Sequence, residues 1–366
     1  MHRHASGTIE GVIDRSGAVG ATLSVILPNY NHAALLPRAL AALLAQDRPP
    51  DEIIIVEDGS TDDSLAVIAA WQARDSRIRC LVNPCNLGVI AALQRGLAAA
   101  VGRYVYFGAA DDWVLKGFFA RALKVLEAHP QCGFYCGDAA LVEGATGASC
   151  GFRPIARPRF GRGVVTAQRA LRLLGKIDNW VLTGSTVFRR DAVLAAGGFD
   201  ARLGSLADGF LSRKIALSQG CFYDPEPVAV WSLFADSASR RTVLHDAAAV
   251  LRDVPPLIAA DPAFPPWYAA LFRRRWHFAV ARLAITAHRD DDSVLALGAE
   301  SGLDRLVVSA VALLAQSRLG QVVALGLLWL RWRPTTLWRV ASTALERRMS
   351  LRNPSKMLEL QKADAS

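Results

Sequence analysis

The amino-acid sequence predicts an α/β fold, in which a mostly parallel sheet is flanked by helices and followed by a helical C-terminal region. Three observations support this expectation. From residue 22 onwards, short apolar runs alternate with amphipathic stretches, as in a sheet covered on both faces. Polar clusters follow the apolar runs, at the strand ends where open α/β sheets bind ligands. Beyond about residue 240 the segments are helical and rich in Ala, Leu and Arg.

Strands and helices are predicted in strict alternation in the first part of the chain. The segments are, in order, TLSVILP (strand), AALLPRALAALLAQ (helix), DEIIIVED (strand), DSLAVIAAWQAR (helix), IRCLVN (strand), VIAALQRGLAAAV (helix) and RYVYFGAADD (strand). Apolar runs of about four to six residues fit buried strands, and the longer segments have helical periodicity. Asn31 and residues 61–63 are of types that commonly start helices.

The remainder of the chain has a less regular pattern. Residues 133–165 are rich in Gly, Pro and Arg and predict irregular strands with a flexible loop. VLTGSTVFRRDAVLAAGGFD and LADGFLSRKIAL then predict a strand, a turn and a helix. The expected organisation is a flexible tail over residues 1–21, an α/β domain over 22–239 and a helical region over 240–366.

Composition excludes several classes of protein. A chain of 366 residues with 52% hydrophobic content can bury a large core, which excludes general disorder. The six cysteines include no CxxC pair, so neither a zinc site nor a disulfide framework is indicated. Because no eighteen-residue apolar run and no signal-peptide pattern occurs, we expect a cytoplasmic protein without a conventional transmembrane span.

Positive charge is concentrated in the last third of the chain. Residues 240–366 hold 18 Lys/Arg and 11 Asp/Glu, so +7 of the net +9 lies there. RRRW at 273–276 and RWRPTTLWRV at 331–340 mix cations with indoles, as helices at a membrane surface do. Peripheral membrane contact is therefore expected, and a solvated or interdomain helix is the alternative. A nucleic-acid partner is not expected, because no recognised binding module accompanies the charge.

The stretch VEDGSTDDS at residues 56–64 places four carboxylates after a buried strand. Desolvating one carboxylate costs several kcal/mol unless a partner compensates it. A cluster of this kind at a strand end therefore either faces solvent or binds a ligand.

Five ordered segments resemble family 2 glycosyltransferases with the GT-A fold: LSVILPNYN, EIIIVEDGSTDDS, NLGVIAALQRG, GRYVYFGAADDW and GGFD followed by ADGFL. The match is collinear over about residues 22–235. The resemblance implies inverting transfer of a sugar from a nucleoside-diphosphate donor, with UDP the expected nucleotide. The acceptor would be a hydroxyl of a glycan or a lipid-linked molecule, as in polysaccharide biosynthesis.

The resemblance implies that the PNYN loop and the VED carboxylate hold the nucleotide base. Pro28 and Tyr30 belong to that loop, with Tyr30 stacking on the ring, and Asp58 would accept an N–H of a uracil-like base. The alternative is that Asp58, Thr61 and Asp62 cap the following helix, and the two roles are compatible.

In NLGVIAALQRG, Asn86 and Gly88 would let the backbone approach the donor, and Gln94 stands where the family often has Asn. Leu93 replaces the Arg of many members, so a contact to the diphosphate is either missing or supplied by Arg95. An ordinary amphipathic helix is a nearly equal alternative for Gln94 and Arg95.

Asp111 and Asp112 match the metal motif of the family, and the expected cofactor is Mg²⁺ or Mn²⁺, a hard cation that prefers oxygen ligands. Asp111 is the favoured ligand. The motif begins with another Asp in fuller versions, but Ala109 stands at that place here. The alternative for Asp112 is to cap a helix that begins at Trp113.

Asp208 is the predicted general base, because inverting members place an acidic residue at the start of a helix shortly after GGFD. The family often has Glu-Asp here, and Ala207 replaces the first acid. The alternative is an N-cap aspartate without chemistry. Asp200 in GGFD is interpreted as a turn residue.

Two other functions are weighed against transfer. Ala109, Leu93 and Ala207 stand where polar residues are common, which favours a catalytically lapsed sugar-nucleotide-binding or scaffold protein as the alternative. A nucleotidyltransferase ranks last, because LPNYNHAALLPRAL lacks the Gly-rich phosphate loop that it would need. Trp180 is a candidate for stacking on an acceptor sugar, with plain packing at least as strong an interpretation.

Overall fold

A computed structural model describes residues 22–153, 157–159, 161–234, 246–286, 301–315 and 317–332. Within them, ten strands form one sheet with helices on both faces, and further helices follow the sheet. The predicted α/β class with a C-terminal helical extension is thereby confirmed. The tail predicted over residues 1–21 lies outside the described residues.

The first four strands form the parallel half of the sheet, in the order β3-β2-β1-β4. The strands β1 and β2 are apolar on both faces because helices cover both faces. Every strand and helix predicted up to residue 107 is present. The bounds are β1 Leu23–Asn29, α1 Leu36–Leu44, β2 Glu52–Glu57, α2 Ser64–Gln72, β3 Ile78–Val82, α3 Val89–Ala99 and β4 Tyr104–Phe107.

The second half of the sheet is mixed and continues as β4-β9-β6-β10-β5, with β7 paired to β6 and β8 to β10. β9 runs antiparallel to β4 and β6, whereas β6 and β10 are parallel. The bounds are β5 Trp113–Val114, α4 Phe118–Ala128, β6 Phe134–Glu143, β7 Ser149–Arg153, β8 Gly163–Val165, α5 Ala167–Lys176, β9 Thr186–Arg189, α6 Arg190–Ala195, α7 Ala207–Ser218 and β10 Cys221–Leu233. Short 3-10 turns span Thr183–Ser185 and Ala201–Leu206.

Each face of the sheet has its own apolar core. Side chains alternate along the strands, so Ile26 and Val105 pack with α3 and α7 on one face. Val25 and Leu27 pack with α1 and α4 on the other. Helices on both faces therefore fix the register of the strands, and with it the positions of the loops at the strand ends.

The C-terminal helices are α8 Ala247–Ala260, α9 Tyr268–Thr286, α10 Gly302–Leu314 and α11 Arg318–Trp332. A third core joins α8 and α9 to α5 and α7 through Leu174, Phe210, Val254 and Tyr268. A boundary near residue 240 stays a prediction, because residues 235–245 lie outside the described part. No helix in the described residues is both long and apolar enough to span a bilayer.

The prediction that Asn31 starts a helix is wrong. The helix α1 begins at Leu36, and Asn31 has a left-handed backbone conformation with φ of 55°. Its side chain bonds across to the β2–α2 loop instead, where its Oδ1 accepts the N–H of Thr61 at 2.8 Å. A contact with a neighbouring strand end has replaced the local capping contact that the residue type predicts.

Candidate functional site

The candidate site lies at the carboxyl edge of the parallel half of the sheet. β1 lies between β2 and β4, and all three run in the same direction. The loops that follow them carry the PNYN segment, the VEDGSTDDS stretch and the Asp111–Asp112 pair. Because neighbouring strands are about 4.8 Å apart, the ends of β2 and β4 are about 10 Å apart across β1.

Asp58 holds the loop after β3 at this edge. It is 3% exposed, and its carboxylate accepts hydrogen bonds from Asn83 Nδ2 at 2.6 Å, from the Leu87 N–H at 3.0 Å and from the Gly88 N–H at 2.8 Å. Gly88 has φ of 89°, a conformation that glycine adopts without strain. A carboxylate has about four acceptor positions, so one position remains for a further donor such as a base N–H. The helix-cap alternative does not describe Asp58.

Two other carboxylates of the VEDGSTDDS stretch shape the turn into α2. Glu57, which the sequence interpretation did not single out, is 1% exposed and accepts the N–H groups of Gly59 and Ser60 at 3.0 and 2.7 Å. Asp62 accepts the N–H of Ser64, the first residue of α2, at 3.0 Å. Asp62 thus satisfies the first N–H of α2 from one residue before the N-cap position, which Asp63 holds without a side-chain cap hydrogen bond.

Tyr30 is the exposed aromatic side chain of the PNYN loop. It is 41% exposed, whereas Pro28 lies within β1. The next residue, Asn31, fixes the loop, because its N–H donates to Ser60 Oγ at 2.9 Å. The ring of Tyr30 is therefore accessible to a planar ligand at the strand edge.

The side chains of α3 are bound within the protein. Leu93 is buried in the core, Gln94 donates to the carbonyl of Phe199, and Arg95 donates to Asn83 Oδ1. Asn86 is exposed, and its Oδ1 accepts the Gly88 N–H at 2.9 Å. Gln94 and Arg95 thus each donate to a partner within the protein, Arg95 through Nη1.

Asp111 and Asp112 lie between β4 and the last strand of the sheet. Ser232 on β10 donates its N–H to Asp112 Oδ1 at 2.8 Å and its hydroxyl to the Asp111 carbonyl at 2.7 Å. Arg38 also donates to that carbonyl, at 3.0 Å, and stacks on Trp113. The alternative that Asp112 caps a helix is wrong, because Trp113–Val114 forms the short strand β5 and α4 begins only at Phe118.

The acidic pair fits a hard divalent cation that is completed by substrate oxygens. Among the described residues, no hydrogen bond involves the Asp111 carboxylate, and no group of three or more metal-ligating side chains occurs. Burial and the neighbouring Asp111 raise the pKa of Asp112 well above its usual value. A cation would relieve this repulsion, and Mg²⁺ commonly takes one or two carboxylates plus phosphate oxygens.

Asp208 lies in the first turn of α7, which begins at Ala207. Its Oδ2 accepts the hydroxyl of Thr183 at 3.1 Å and its Oδ1 the N–H of Gly209 at 2.6 Å. The N-cap position is held by Leu206, so the N-cap alternative for Asp208 is wrong. Burial raises the pKa of Asp208, although these two donors and Arg213 oppose the shift.

The turn Thr183–Ser185 connects Asp208 to the acidic pair. Thr183 bonds to Asp208, and the next residue, Gly184, lies beside Asp112: a Cβ atom added at Gly184 would be 3.8 Å from Asp112 Oδ2. Tyr106 on β4 donates its hydroxyl to the Gly184 carbonyl at 3.0 Å. The structure therefore brings Asp112 and Asp208 to opposite sides of one turn, a link that the sequence interpretation missed.

Trp180 does not stack on a ligand in this structure. It is 4% exposed and belongs to the core that α3 and α7 cover. Plain packing, the alternative interpretation, is therefore correct. Asp200 accepts the N–H of Arg202 at 3.0 Å at the start of the 3-10 turn, which agrees with its interpretation as a turn residue.

The strand order and the flanking helices are those of a GT-A type fold. Residues 24–142 match the family model described as Glycosyl transferase family 2. A relative from Bacillus subtilis (strain 168), "Uncharacterized glycosyltransferase EpsJ", is 34% identical over 117 residues, which cover 31% of this chain and 34% of the relative. Residues 24–142, about a third of the chain, are therefore similar to glycosyltransferase family 2. The chain spans about a third of the length of the curated relatives it matches.

Two solved structures share the fold over most of both chains. The S. aureus TarS 1-349 structure in complex with UDP-GlcNAc has a TM-score of 0.58 at 15% identity and covers 86% of this chain and 93% of that one. The mannosyltransferase PcManGT from Pyrobaculum calidifontis, in complex with GDP-Man and Mn²⁺, has a TM-score of 0.52 at 22% identity and covers 84% of both chains. At these identities the likeness concerns the fold.

Proposed function

We propose that this chain is an inverting glycosyltransferase that moves a sugar from a nucleoside diphosphate, with UDP the expected nucleotide, to a hydroxyl of a glycan or lipid-linked acceptor. The observation that supports this proposal most is the position of Asp112 and Asp208 on opposite sides of the Thr183–Ser185 turn. One edge of the sheet then holds a candidate cation site and a candidate base, beside the loops of Tyr30 and Asp58.

The donor nucleotide would bind at the ends of β1 and β2. The exposed ring of Tyr30, which follows Pro28, would stack on the base, and Asp58 would accept a base N–H at its remaining acceptor position. Asn86 and Gly88 form the other side of this loop contact. The backbones touch here, since a Cβ atom at Gly59 would be 2.7 Å from the Asn86 nitrogen.

Asp111 and Asp112 would hold Mg²⁺ or Mn²⁺, which when bound supplies positive charge to the diphosphate leaving group. Ser232 orients Asp112 through its N–H and fixes the Asp111 carbonyl through its hydroxyl. Both residues are thus held at the end of β4, Asp112 by its carboxylate and Asp111 by its backbone, so that the Asp111 carboxylate is left for a ligand.

Asp208 would act as the general base of a single displacement. Its carboxylate takes the proton of the acceptor hydroxyl as that oxygen attacks the anomeric carbon and the bond to the diphosphate breaks, which inverts the anomeric centre. Thr183 orients the carboxylate by donating to Oδ2. The raised pKa brings the basicity of Asp208 closer to neutral pH, where a general base is most effective.

The test is the substitution Asp208→Asn, with Asp200→Asn as the matched control in the preceding exposed turn. We expect Asp208→Asn to lower transfer by about a hundredfold or more and to leave the affinity for the donor nearly unchanged. Thermal shifts with UDP- and GDP-sugars plus Mn²⁺ or Mg²⁺ would first identify the donor. If Asp208→Asn turned over at the wild-type rate, Asp208 would not be the general base.

A catalytically lapsed sugar-nucleotide-binding protein is the second candidate. It is favoured by α3, where Leu93 is buried in place of the Arg of many members and Gln94 and Arg95 already donate to partners within the protein. Such a protein would show thermal shifts with donor and cation, but no release of nucleoside diphosphate with any of a panel of acceptors.

We also propose that the protein acts at the cytoplasmic face of a membrane and contacts it peripherally through α10 and α11. These helices expose an apolar face, in which Leu306 and Leu319 are 71% and 78% exposed. Apolar faces of this size on a soluble domain commonly mark an interaction surface. The exposed members are Leu303, Leu306, Leu313, Leu319, Val322, Val323 and Leu330.

Flotation with phosphatidylcholine vesicles, with and without phosphatidylglycerol, tests the membrane contact. The triple substitution of Leu306, Leu313 and Leu319 by Ser should abolish flotation. The matched control is the same triple substitution at exposed leucines of the α/β domain, which should float like wild type. Equal flotation of both variants would contradict the proposal; the control residues are Leu65, Leu171 and Leu194.

A further inference from the structure

A group of charged and phenolic side chains beside α7 has been given no role in the transfer proposed above. Asp178 accepts hydrogen bonds from Arg213 Nε at 3.2 Å, from Arg213 Nη2 at 3.1 Å and from the Tyr268 hydroxyl at 2.6 Å. Arg275 Nη1 is 3.9 Å from the same carboxylate. We name these four residues the Asp178 cluster. It joins the loop after α5, the helix α7 and the C-terminal helix α9.

Asp178 has a backbone conformation that residues other than glycine rarely adopt, with φ of 64°. A conformation of this kind persists only where surrounding contacts hold it. The hydrogen bonds of the Asp178 carboxylate with Arg213 and Tyr268 are contacts that hold this backbone conformation. Arg213 is 10% exposed, so its guanidinium depends on Asp178 for a counter-charge.

The cluster reaches the proposed base through α7. Arg213 follows Asp208 by five residues, and its guanidinium folds back along the helix: a Cβ atom added at Gly209 would be 2.9 Å from Arg213 Nη1 and 3.5 Å from Asn179 Nδ2. The N–H of Gly209 is the donor to Asp208 Oδ1. The guanidinium therefore packs against the peptide that orients the Asp208 carboxylate.

The charge of Arg213 also acts on Asp208. Burial raises the pKa of Asp208, and the positive charge of Arg213 is among the effects that oppose this rise. Other charged groups near α7 come from the loop after α5, the turn before α7, the acidic pair and α9; they are Asp178, the Arg202–Asp200 pair, Asp112 and Arg275. The helix α7 itself carries two cations: Lys214 pairs with Asp261, and Arg213 lies against the peptide that orients the base.

We propose that Asp178 and Arg213 are positioning residues for Asp208. They hold the first turn of α7 between the loop after α5 and the C-terminal helix α9, and they keep a positive charge beside the base. The proposal rests on the proposed function, because it concerns the same base. It gives the C-terminal helices a role in the reaction, since Tyr268 of α9 completes the contacts of Asp178.

The test compares Arg213→Met, Arg213→Lys and the control Lys214→Met. Lys214 is the neighbouring cation on α7 and pairs with Asp261 instead. The assay is release of UDP from UDP-N-acetylglucosamine or of GDP from GDP-mannose, with Mn²⁺. We expect Arg213→Met to lower kcat about tenfold to a hundredfold, with KM for the donor within about twofold, because the base loses its orientation.

The pH profile separates positioning from general stability. Removing a positive charge raises the pKa of Asp208, so the acid limb of kcat/KM should move to higher pH in Arg213→Met. Arg213→Lys keeps the charge and should keep the limb near the wild-type position, as should Lys214→Met. A merely structural residue would change the midpoint of urea unfolding and leave the acid limb in place, which would overturn the proposal.

A second measurement is independent of turnover. ¹³C NMR titration of the Asp208 carboxyl, assigned by its absence in Asp208→Asn, should give a higher pKa in Arg213→Met than in wild type. An unchanged pKa would overturn the proposal even in an inactive protein. If wild type released no diphosphate, the proposed function would fail separately, and the NMR comparison would still decide the role of Arg213.

Discussion

Two buried carboxylates, one in each half of the sheet, are stabilised in different ways. In the parallel half, Asp58 accepts two of its three hydrogen bonds from backbone N–H groups of the next strand-end loop. In the mixed half, Asp138 on β6 pairs with Arg157 at 2.6 Å and accepts the hydroxyl of Tyr223. Asp178 likewise depends on Arg213 and on a tyrosine, as described above.

This difference determines how sensitive each half is to substitution. Backbone donors are present whatever the neighbouring side chains are, so a carboxylate at a strand end finds partners in any sheet of this kind. A side-chain pair needs two particular residues, and in the mixed half they are far apart: Asp178 is 35 residues from Arg213 and 90 from Tyr268. Removing one partner leaves the other charge buried without compensation.

The largest effect is expected from Asp178→Ala. Breaking a buried pair by removing one partner typically costs about 3–5 kcal/mol, so the free energy of unfolding in urea should fall by about that amount. The matched control is Asp200→Ala, whose pair with Arg202 is exposed to solvent and should matter much less. Equal losses in the two variants would show that the halves differ less than proposed.

A smaller effect, which depends on pH, is expected from Asp138→Asn. Burial raises the pKa of Asp138 to about 6, although Arg157 and Tyr223 oppose the shift. Because the folded pKa exceeds the unfolded one, the proton stabilises the fold below about pH 4, and this stability is lost as pH rises through about 6. The loss is about 3 kcal/mol for a shift of about two units.

The measurement is the free energy of unfolding of wild type and Asp138→Asn between pH 4 and pH 7. The asparagine does not titrate. The difference in free energy of unfolding between wild type and Asp138→Asn should therefore change by about 3 kcal/mol across this pH range. A constant difference would mean that Asp138 has an ordinary pKa in the folded protein.

Asp58→Asn should be next in size. The amide presents one acceptor oxygen to three donors, from Asn83, Leu87 and Gly88, so about 2 kcal/mol of stability should be lost. Affinity for UDP should fall as well, if Asp58 contacts the base. The control is Asp63→Asn in the same loop, where the side chain is exposed. If both variants unfold at the wild-type midpoint, the loop does not depend on Asp58.

The smallest effect should come from Asp62→Asn, and its sign should be opposite to that of Asp138→Asn. Burial acts to raise the pKa of Asp62, but hydrogen bonds from Ser64 and from the Ala33 N–H outweigh it and lower the pKa. Asp62 therefore adds stability above about pH 4 that is lost as pH falls. The thermal unfolding midpoints of variant and wild type should differ more at pH 7 than at pH 3.

Much of the parallel half could be predicted from the sequence. Its strands and helices are local patterns of apolar residues, and each one is present near its predicted bounds. The capping role of Asp62 is likewise a contact within a few residues. The likeness of ordered motifs to family 2 glycosyltransferases agrees with the family match over residues 24–142.

The mixed half could be predicted less well, because its contacts join distant residues. The sequence interpretation missed Ser232 as a partner of Asp112, 120 residues away, and Thr183 as a partner of Asp208, 25 residues away. Thr183 had one signal, since it is a hydroxyl residue in VLTGST, three residues before the strand β9. For Asp178, no sequence signal distinguishes it from the other aspartates of the chain.

By itself the sequence determined the alternation of strands and helices and the candidate residues at the strand ends, because periodicity and residue type act over a few positions. Only the tertiary structure decided which of these residues meet. Strand order brings β10 next to β5 and the turn Thr183–Ser185 next to Asp112, and α9 packs on α7, where Asp178 needs its partners. Contacts of that range depend on how the whole chain packs, which no local pattern records.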